Sequence, residues 1–104
     1  MSEAIFRMIG LASRAGKAEV GEAKAQDRIK YKKAKLIIVS SDASYNTKKK
    51  FNALCQGAGI GYIEIGNREI LGKFTGRENA VVLSVNDENF ADGIKRLAND
   101  IENI

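Results

Sequence analysis

The sequence predicts an α/β fold: a three-layer α/β/α sandwich around a central mixed sheet of about four strands. Apolar stretches at residues 36–39 and 80–85 do not alternate with polar residues, which is typical of strands covered on both faces. Helical patterns precede, separate and follow these strands. Because a strand covered on both faces needs helices above and below it, a sandwich is expected.

The first elements follow from caps and periodicity. Ser2 is a competent cap for a first helix that Gly16 ends. Residues 17–20 predict a short edge strand, and residues 22–33 a second helix with Ala25 and Ile29 toward the core. Three basic residues of this helix recur every four positions and are expected to form one stripe, namely Lys24, Arg28 and Lys32.

A third helix is expected over residues 46–56, with its inward face formed by Phe51, Leu54 and Cys55. Its competent caps are Asp42, Ser44 and Asn46. Asp42 also follows a buried strand, where α/β enzymes often keep a catalytic group, but it lacks a catalytic partner, which favours a cap. The lysines at residues 48–50 lie in the first turns, so they either provide solubility or face an anion.

The second half continues the alternation. Residues 57–61 predict a glycine-rich loop, residues 62–65 a strand, and residues 68–71 a short helix ended by Gly72. Asp87 is a cap for the last helix, which carries a strong amphipathic stripe of Phe90, Ile94, Leu97 and Ile101.

Bulk properties limit the functional classes. The 104 residues, 44% of them hydrophobic, predict one domain over residues 1–104. No apolar run approaches the ~20 residues of a membrane span, and the N-terminus lacks the apolar core of a signal peptide. Cys55 cannot form an internal disulfide, which fits the cytoplasm. Because histidine is absent, we expect no catalytic residues, no metal and no cofactor.

The charge is unevenly distributed along the chain. Residues 1–50 hold 12 Lys and Arg against 5 Asp and Glu, whereas residues 51–104 hold 5 against 8. This asymmetry favours a face for nucleic acid over an unevenly charged solvated surface. Residues 10–17 resemble a P-loop, but five residues separate the glycines and no hydroxyl residue follows Lys17, which argues against nucleotide hydrolysis.

An ordered set of segments resembles the ribosomal L-seven-Ae and L-thirty-e protein family, in particular its small bacterial branch. The segments are residues 10–17, 34–39 and 42–44, Cys55, residues 71–72 and Gly76. The resemblance implies an α/β/α sandwich that binds kink-turn RNA, a sharply bent duplex with tandem sheared G·A pairs. It also implies a place in translation, with ribosomal RNA or a structured leader as the target, ribosome association and no preference for DNA.

The resemblance also implies site residues. The family's Gly-x-Asn-Glu segment, which reads guanine edges from the start of the second helix, falls on Gly21, Glu22, Ala23 and Lys24. Ala23 and Lys24 thus replace Asn-Glu, and Asp27 replaces a later lysine. Lys24 can donate to guanine O6 and N7, where a glutamate would accept from the other edge. The loop that covers a flipped-out base matches Ile65, Gly66 and Asn67. Phosphate contacts are expected from Arg14, Lys17, Arg28 and Lys35.

Two other functional classes remain at this point. The replacements at residues 23, 24 and 27 are also expected of a protein-interaction module on the same fold that has lost RNA binding. A small-molecule or enzymatic α/β domain is disfavoured, because the sequence lacks histidine and a catalytic pair.

Overall fold

The computed structural model describes residues 3–102, in which helices and strands alternate as predicted. The helices are α1 (Glu3–Arg14), α2 (Glu22–Lys30), α3 (Tyr45–Ala58), α4 (Arg68–Thr75) and α5 (Glu88–Glu102). The strands are β1 (Ala18–Val20), β2 (Leu36–Val39), β3 (Gly61–Glu64) and β4 (Val82–Val85). Ser2, the predicted cap of the first helix, lies outside the described residues.

The four strands form one mixed sheet in the order β1-β4-β2-β3. β2 runs parallel to β3 and antiparallel to β4, and β4 runs antiparallel to β1. The central strands β2 and β4 are buried at every position, and β1 is an edge strand, as predicted. Because β1, β2 and β3 point the same way, they end together at one edge of the sheet, here called the carboxyl edge, and begin together at the opposite, amino edge.

Helices cover both faces of this sheet. On one face, α1, α4 and α5 pack over alternate strand residues, with Ile9, Leu71 and Ile94 in the core. On the other face, α2 and α3 pack through Ile29 and Phe51. The predicted stripe of α5 lies against the first of these cores. The three-layer α/β/α sandwich is therefore confirmed. Among the described helices, none combines the length and the apolar composition that crossing a bilayer requires.

The second helix ends at Lys30 and not at the predicted Lys33. Lys32 adopts a left-handed backbone with φ 59°. Its N–H donates to the carbonyl of Ile29, and the N–H of Lys33 donates to that of Arg28, which closes the helix with a Schellman motif. Lys32 therefore leaves the helix, and the predicted stripe of Lys24, Arg28 and Lys32 does not form.

The predicted roles of two glycines were also wrong: Gly72 does not end α4, and Gly57 does not begin a loop. Gly72 lies buried inside α4, which continues to Thr75 and ends at Gly76. A Cβ on Gly72 would lie 2.8 Å from the carbonyl oxygens of Arg77 and Glu78, so the glycine permits close packing of the following loop. Likewise α3 runs through Gly57 and ends at the left-handed Gly59, so the predicted loop at residues 57–61 shrinks to two residues.

Ser44 caps α3, because its hydroxyl accepts the N–H of Thr47 at 3.1 Å. Asp42 has another role. Its carboxylate accepts the backbone N–H of Arg68 at 3.1 Å and the side-chain Nε of Arg68 at 3.3 Å. Asp42 therefore joins the end of β2 to the first turn of α4, so its cap serves a different helix from the predicted one.

Candidate nucleic-acid interface

The start of α2 is an open helix N-terminus. Gly21, its N-cap, has φ 135°, and no side chain caps the helix. Gly21 donates its own N–H to the carbonyl of Val82 at 2.9 Å. The first-turn N–H groups of Glu22, Ala23 and Lys24 have no intrahelical acceptor. Side-chain caps do close α3, α4 and α5, provided by Ser44, Asn67 and Asp87. The start of α2 therefore offers free backbone N–H donors and the positive end of the helix dipole to an anionic ligand.

The segment of residues 65–67 is held firmly by the fold. Ile65 donates to the carbonyl of Val39 at 3.0 Å, and the carbonyl of Gly66 accepts the N–H of Ser41 at 3.0 Å. Gly66 has φ 64°, and a Cβ there would lie 2.8 Å from the Phe6 ring. The Asn67 side chain accepts the N–H of Ile70 at 2.8 Å. Since Ile65 is half-buried against the core, this segment offers a rigid and partly apolar surface.

Both segments lie at the carboxyl edge of the sheet. Val20, which precedes Gly21, pairs with Leu83, and Val39 pairs with both Val82 and Glu64. Gly21 and Ile65 therefore follow strands whose ends lie within one residue of the same level of the sheet. The order β1-β4-β2-β3 puts them three strand spacings apart, which is about 14 Å.

The predicted phosphate-binding residues do not lie at the carboxyl edge. The carbonyl of Lys17 accepts the N–H of Asn86, and the N–H of Lys35 donates to Val85, each at 2.8 Å. Both lysines therefore lie at the amino edge, a strand length from Gly21. Nη1 of Arg14 lies 3.5 Å from the position of a Cβ on Gly10, so this side chain folds back along α1.

Arg28 is committed to an internal ion pair. Its Nε and Nη2 donate to the two carboxylate oxygens of Glu19 at 2.6 and 3.0 Å, and its Nη1 donates to Asp27 at 2.7 Å. The hydrogen bond from Arg28 holds the pKa of Glu19 below its ordinary value. Sequence reasoning missed Glu19, although alternation in β1 separates it from Ala18 and Val20 and turns it toward the face that α2 covers.

Other cations near the carboxyl edge also have carboxylate partners. Lys50 lies 3.5 Å from Glu22, and Lys48 lies 3.5 Å from Glu64. In contrast, Lys24 is exposed, and no carboxylate among the described side chains of residues 3–101 lies in ion-pair distance of it. Lys24 is thus a cation available to a ligand beside the open N-terminus of α2.

Cys55 is a core residue, as predicted, with 1% of its surface exposed. Burial raises the pKa of its thiol to about 11, so the thiol stays protonated near neutral pH. A protonated, buried thiol is a poor nucleophile and a poor metal ligand.

The fold and this edge define a small α/β/α sandwich with an open, lysine-bearing helix N-terminus beside a rigid loop. The model of the Ribosomal protein L7Ae/L30e/S12e/Gadd45 family matches residues 3–94. The chain belongs to this family, which confirms the resemblance seen in the sequence.

Bacterial relatives agree with this assignment. The RNA-binding protein YlxQ of Bacillus subtilis (strain 168) is 38% identical over 86 residues, covering 83% of this chain and 86% of the relative. The RNA-binding protein YlxQ of Enterococcus faecium is 51% identical over 45 residues, covering 43% of this chain and 44% of the relative.

Solved structures show the same fold. A Bacillus halodurans protein with unknown function superposes with a TM-score of 0.89 at 33% identity, covering 91% of this chain and 96% of the other. The 15.5kD RNA binding protein of Giardia lamblia superposes with a TM-score of 0.81 at 18% identity, covering 97% and 87%. At that low identity, the Giardia protein supports the fold alone.

Proposed function

We propose that this protein is a non-enzymatic RNA-binding protein of the translation apparatus that recognises kink-turn RNA at the carboxyl edge of its sheet. Membership of the L7Ae/L30e/S12e/Gadd45 family supports RNA as the ligand. The relatives named RNA-binding protein YlxQ support it further. A ribosomal RNA or a structured leader is the expected source of the kink-turn.

One observation carries the kink-turn proposal. The two segments that match the family's RNA contacts, at residues 21–24 and 65–67, follow the ends of the two outer strands, β1 and β3, at one edge of the sheet. Their separation of about 14 Å suits a bent RNA that contacts α2 with its backbone and the loop with an extruded base. A straight duplex has no extruded base to place on the loop.

The open start of α2 supplies the phosphate contact. The first-turn N–H groups of α2 point at the ligand, and the helix dipole favours negative charge there. Glu22 lies in this first turn, but Lys50 at 3.5 Å offsets its charge. A phosphate at the bend is therefore held mainly by backbone donors and by Lys24.

Lys24 supplies the specificity. An ammonium group is a donor only, so it contacts the O6 and N7 acceptors of guanine or a phosphate. The family's glutamate is an acceptor and reads a different guanine edge. The replacement therefore changes which edge of the bent region is read. Ile65 and Gly66 form the rigid surface against which the extruded base packs.

The test compares wild type with Lys24→Ala on a kink-turn RNA and on a plain duplex of equal length, at one fixed salt concentration. If Lys24 reads a base, the change weakens kink-turn binding by about 1–3 kcal/mol and duplex binding much less. Lys73→Ala is the matched control, because Lys73 is an exposed lysine on α4, in the other helical layer.

Two results together would contradict the kink-turn proposal: equal wild-type affinity for the two RNAs, and a Lys24→Ala variant that binds no worse than Lys73→Ala. They would favour the protein-interaction module instead. The feature consistent with that alternative is the replacement at residue 27, where Asp27 now pairs with Arg28 at 2.7 Å.

A further inference from the structure

The amino edge of the sheet carries a group of lysines far from the candidate site. We call it the basic edge and define it as Lys17, Lys32, Lys33 and Lys35. All four side chains are exposed, and among the side chains of residues 3–101 no carboxylate lies in ion-pair distance of any of them. We propose that the basic edge is a second RNA-binding surface that contacts the phosphate backbone of an RNA arm beyond the kink-turn.

The fold brings these lysines together from separate segments. Lys17 precedes β1 and Lys35 precedes β2, and both bond to the end of β4 through Asn86 and Val85. They are therefore two strand spacings apart, which is about 10 Å. Lys32 and Lys33 come from the turn that links α2 to β2. The result is a row of cations along one end of the sheet.

Acidic residues close to this edge are already engaged. Glu19 and Asp27 both accept hydrogen bonds from Arg28. Asp87 caps α5 by accepting the N–H of Phe90 at 3.0 Å, and Asp92 lies 3.7 Å from Lys95. Glu88, at the start of α5, is the nearby acid that has no such partner in the described part of the chain. The cap leaves Asp87 charged, and Arg28 offsets only one of its two carboxylate partners, so among the described residues about three negative charges near this edge stand against the four lysines.

The backbone at Lys32 supports a role for its side chain. Lys32 occupies the left-handed position of the Schellman motif that ends α2, a position usually taken by glycine. A lysine there carries backbone strain that a glycine would avoid. Strained backbone in native proteins is concentrated at functional sites, and here the strained residue presents a cation to the amino edge.

The basic edge is too distant to serve the same RNA contact as Lys24. The nine residues of α2 span about 13 Å, which exceeds the screening length of about 8 Å at physiological ionic strength. An RNA confined to the carboxyl edge therefore gains little from these lysines, whereas a duplex arm that continues past α2 reaches them. The inference rests on the proposed function for the identity of the ligand and adds a second, sequence-independent surface.

The experiment uses the full chain and two RNAs: a kink-turn with minimal arms, and the same kink-turn with each arm extended by about one helical turn. The test variant is Lys17→Gln/Lys33→Gln/Lys35→Gln. A charge-matched control, Arg7→Gln/Lys73→Gln/Arg96→Gln, removes three exposed cations from α1, α4 and α5. Dissociation constants are measured over a series of salt concentrations.

Wild type is expected to bind the extended RNA at least tenfold more tightly than the minimal RNA. The test variant should lose this difference, and its slope of log affinity against log salt on the extended RNA should fall by roughly 0.7–0.9 for each lost phosphate contact. On the minimal RNA it should stay within about twofold of wild type, as expected for charges beyond the screening length. The control should retain the wild-type difference.

Three results would overturn the second surface. One is equal weakening of both RNAs by the test variant, and another is the same loss in the control variant. The third is unchanged RNA binding by the test variant with loss of binding to poly-L-glutamate, which would assign the edge to acidic proteins. Failure of the proposed function looks different: kink-turn RNA would show no advantage over plain duplex, while the test variant would still lose affinity for long duplex.

Discussion

At the level of single residues, Lys32 is a non-glycine residue with a strained, left-handed backbone. Among the non-glycine residues in positions 3–102, it alone has a positive φ. A left-handed backbone costs an L-residue roughly 1–2 kcal/mol of folded-state stability, which glycine does not lose. Glycine also has more freedom in the unfolded chain, and the extra entropy lost on folding offsets part of this gain. We expect Lys32→Gly to raise the free energy of unfolding by about 0.5–1 kcal/mol, as measured by urea denaturation.

Lys33→Gly is the control for this prediction. Lys33 follows directly and is also exposed, but its backbone is not left-handed. The same substitution there should lower stability slightly, because glycine adds only unfolded-state entropy. Equal effects at both positions would mean that Lys32 carries no strain and that its backbone gives no sign of a functional side chain.

Two helical glycines provide a second comparison at this scale. A Cβ on Gly72 would meet two backbone carbonyl oxygens at 2.8 Å, whereas a Cβ on Gly57 would meet nothing within 4 Å. We expect Gly72→Ala to destabilise the protein by about 1–3 kcal/mol through overpacking. Gly57→Ala should stabilise it by about 0.5–1 kcal/mol through helix propensity. Thermal or urea denaturation of the two variants checks both values, and a stable Gly72→Ala variant would contradict the close packing.

These glycines also mark a limit of sequence reasoning. The predicted α4 ended at Gly72, and the predicted loop after α3 began at Gly57, because glycine is the main breaker in a chain without proline. The observed ends are at Gly76 and Gly59. A glycine that permits tertiary approach and a glycine that ends a helix look alike in one sequence, because the difference lies in the neighbouring backbone.

At the level of elements, an ion pair joins β1 to α2. Arg28 of α2 holds Glu19 of β1 with two hydrogen bonds, and the Asn86 amide donates to the same carboxylate at 3.0 Å. The pKa of Glu19 is therefore lower in the folded protein than its ordinary value of 4.5. The resulting stabilisation is present above pH 4.5 and is lost as the pH falls through the folded value.

Glu19→Gln tests this linkage. At neutral pH the variant should be less stable than wild type by about 1–2 kcal/mol, as expected for charge-assisted hydrogen bonds. The difference should shrink as the pH falls below 4.5. Glu78→Gln, a change of an exposed carboxylate in the loop after α4, should show little difference at any pH. A constant deficit in Glu19→Gln from neutral to acidic pH would indicate lost packing without a titrating pair.

The elements themselves were largely predictable, because periodicity and burial dictate them locally. The uniformly apolar β2 and the amphipathic stripe of α5 were recognised from pattern alone. The arrangement of the site was not. Sequence reasoning grouped Lys17 and Lys35 with Gly21, but the pairing of β1 with β4 separates them by the length of a strand. Strand order and register depend on tertiary packing. A local sequence pattern therefore does not predict which lysines lie at the same edge of the sheet.

At the level of the whole molecule, charge is divided between the two helical layers. The layer of α1, α4 and α5 and the layer of α2 and α3 each contain six Lys and Arg. The first layer also contains six Asp and Glu, whereas the second contains two. The protein's net charge of +4 therefore matches the excess on the α2 and α3 layer. An RNA bound at the carboxyl edge is expected to lie toward this layer.

The last prediction separates this layer charge from net charge. The cations near the carboxyl edge include Lys24 and the α3 lysines Lys48, Lys49 and Lys50. With about three to five phosphate contacts from this set and the start of α2, wild-type affinity for the minimal kink-turn RNA should fall more than tenfold between 50 and 200 mM salt. Replacing Lys48, Lys49 and Lys50 with Gln lowers the net charge from +4 to +1, as does the triple change of Arg7, Lys73 and Arg96. The α3 variant should bind more weakly and with a shallower salt slope, since it also uncovers Glu22 and Glu64. The other variant should keep the wild-type slope, because its charges lie in the layer of α1, α4 and α5, where Lys and Arg are balanced by an equal number of Asp and Glu. Identical slopes for the two variants would mean that RNA responds to net charge alone, and the oriented binding surface would have to be abandoned.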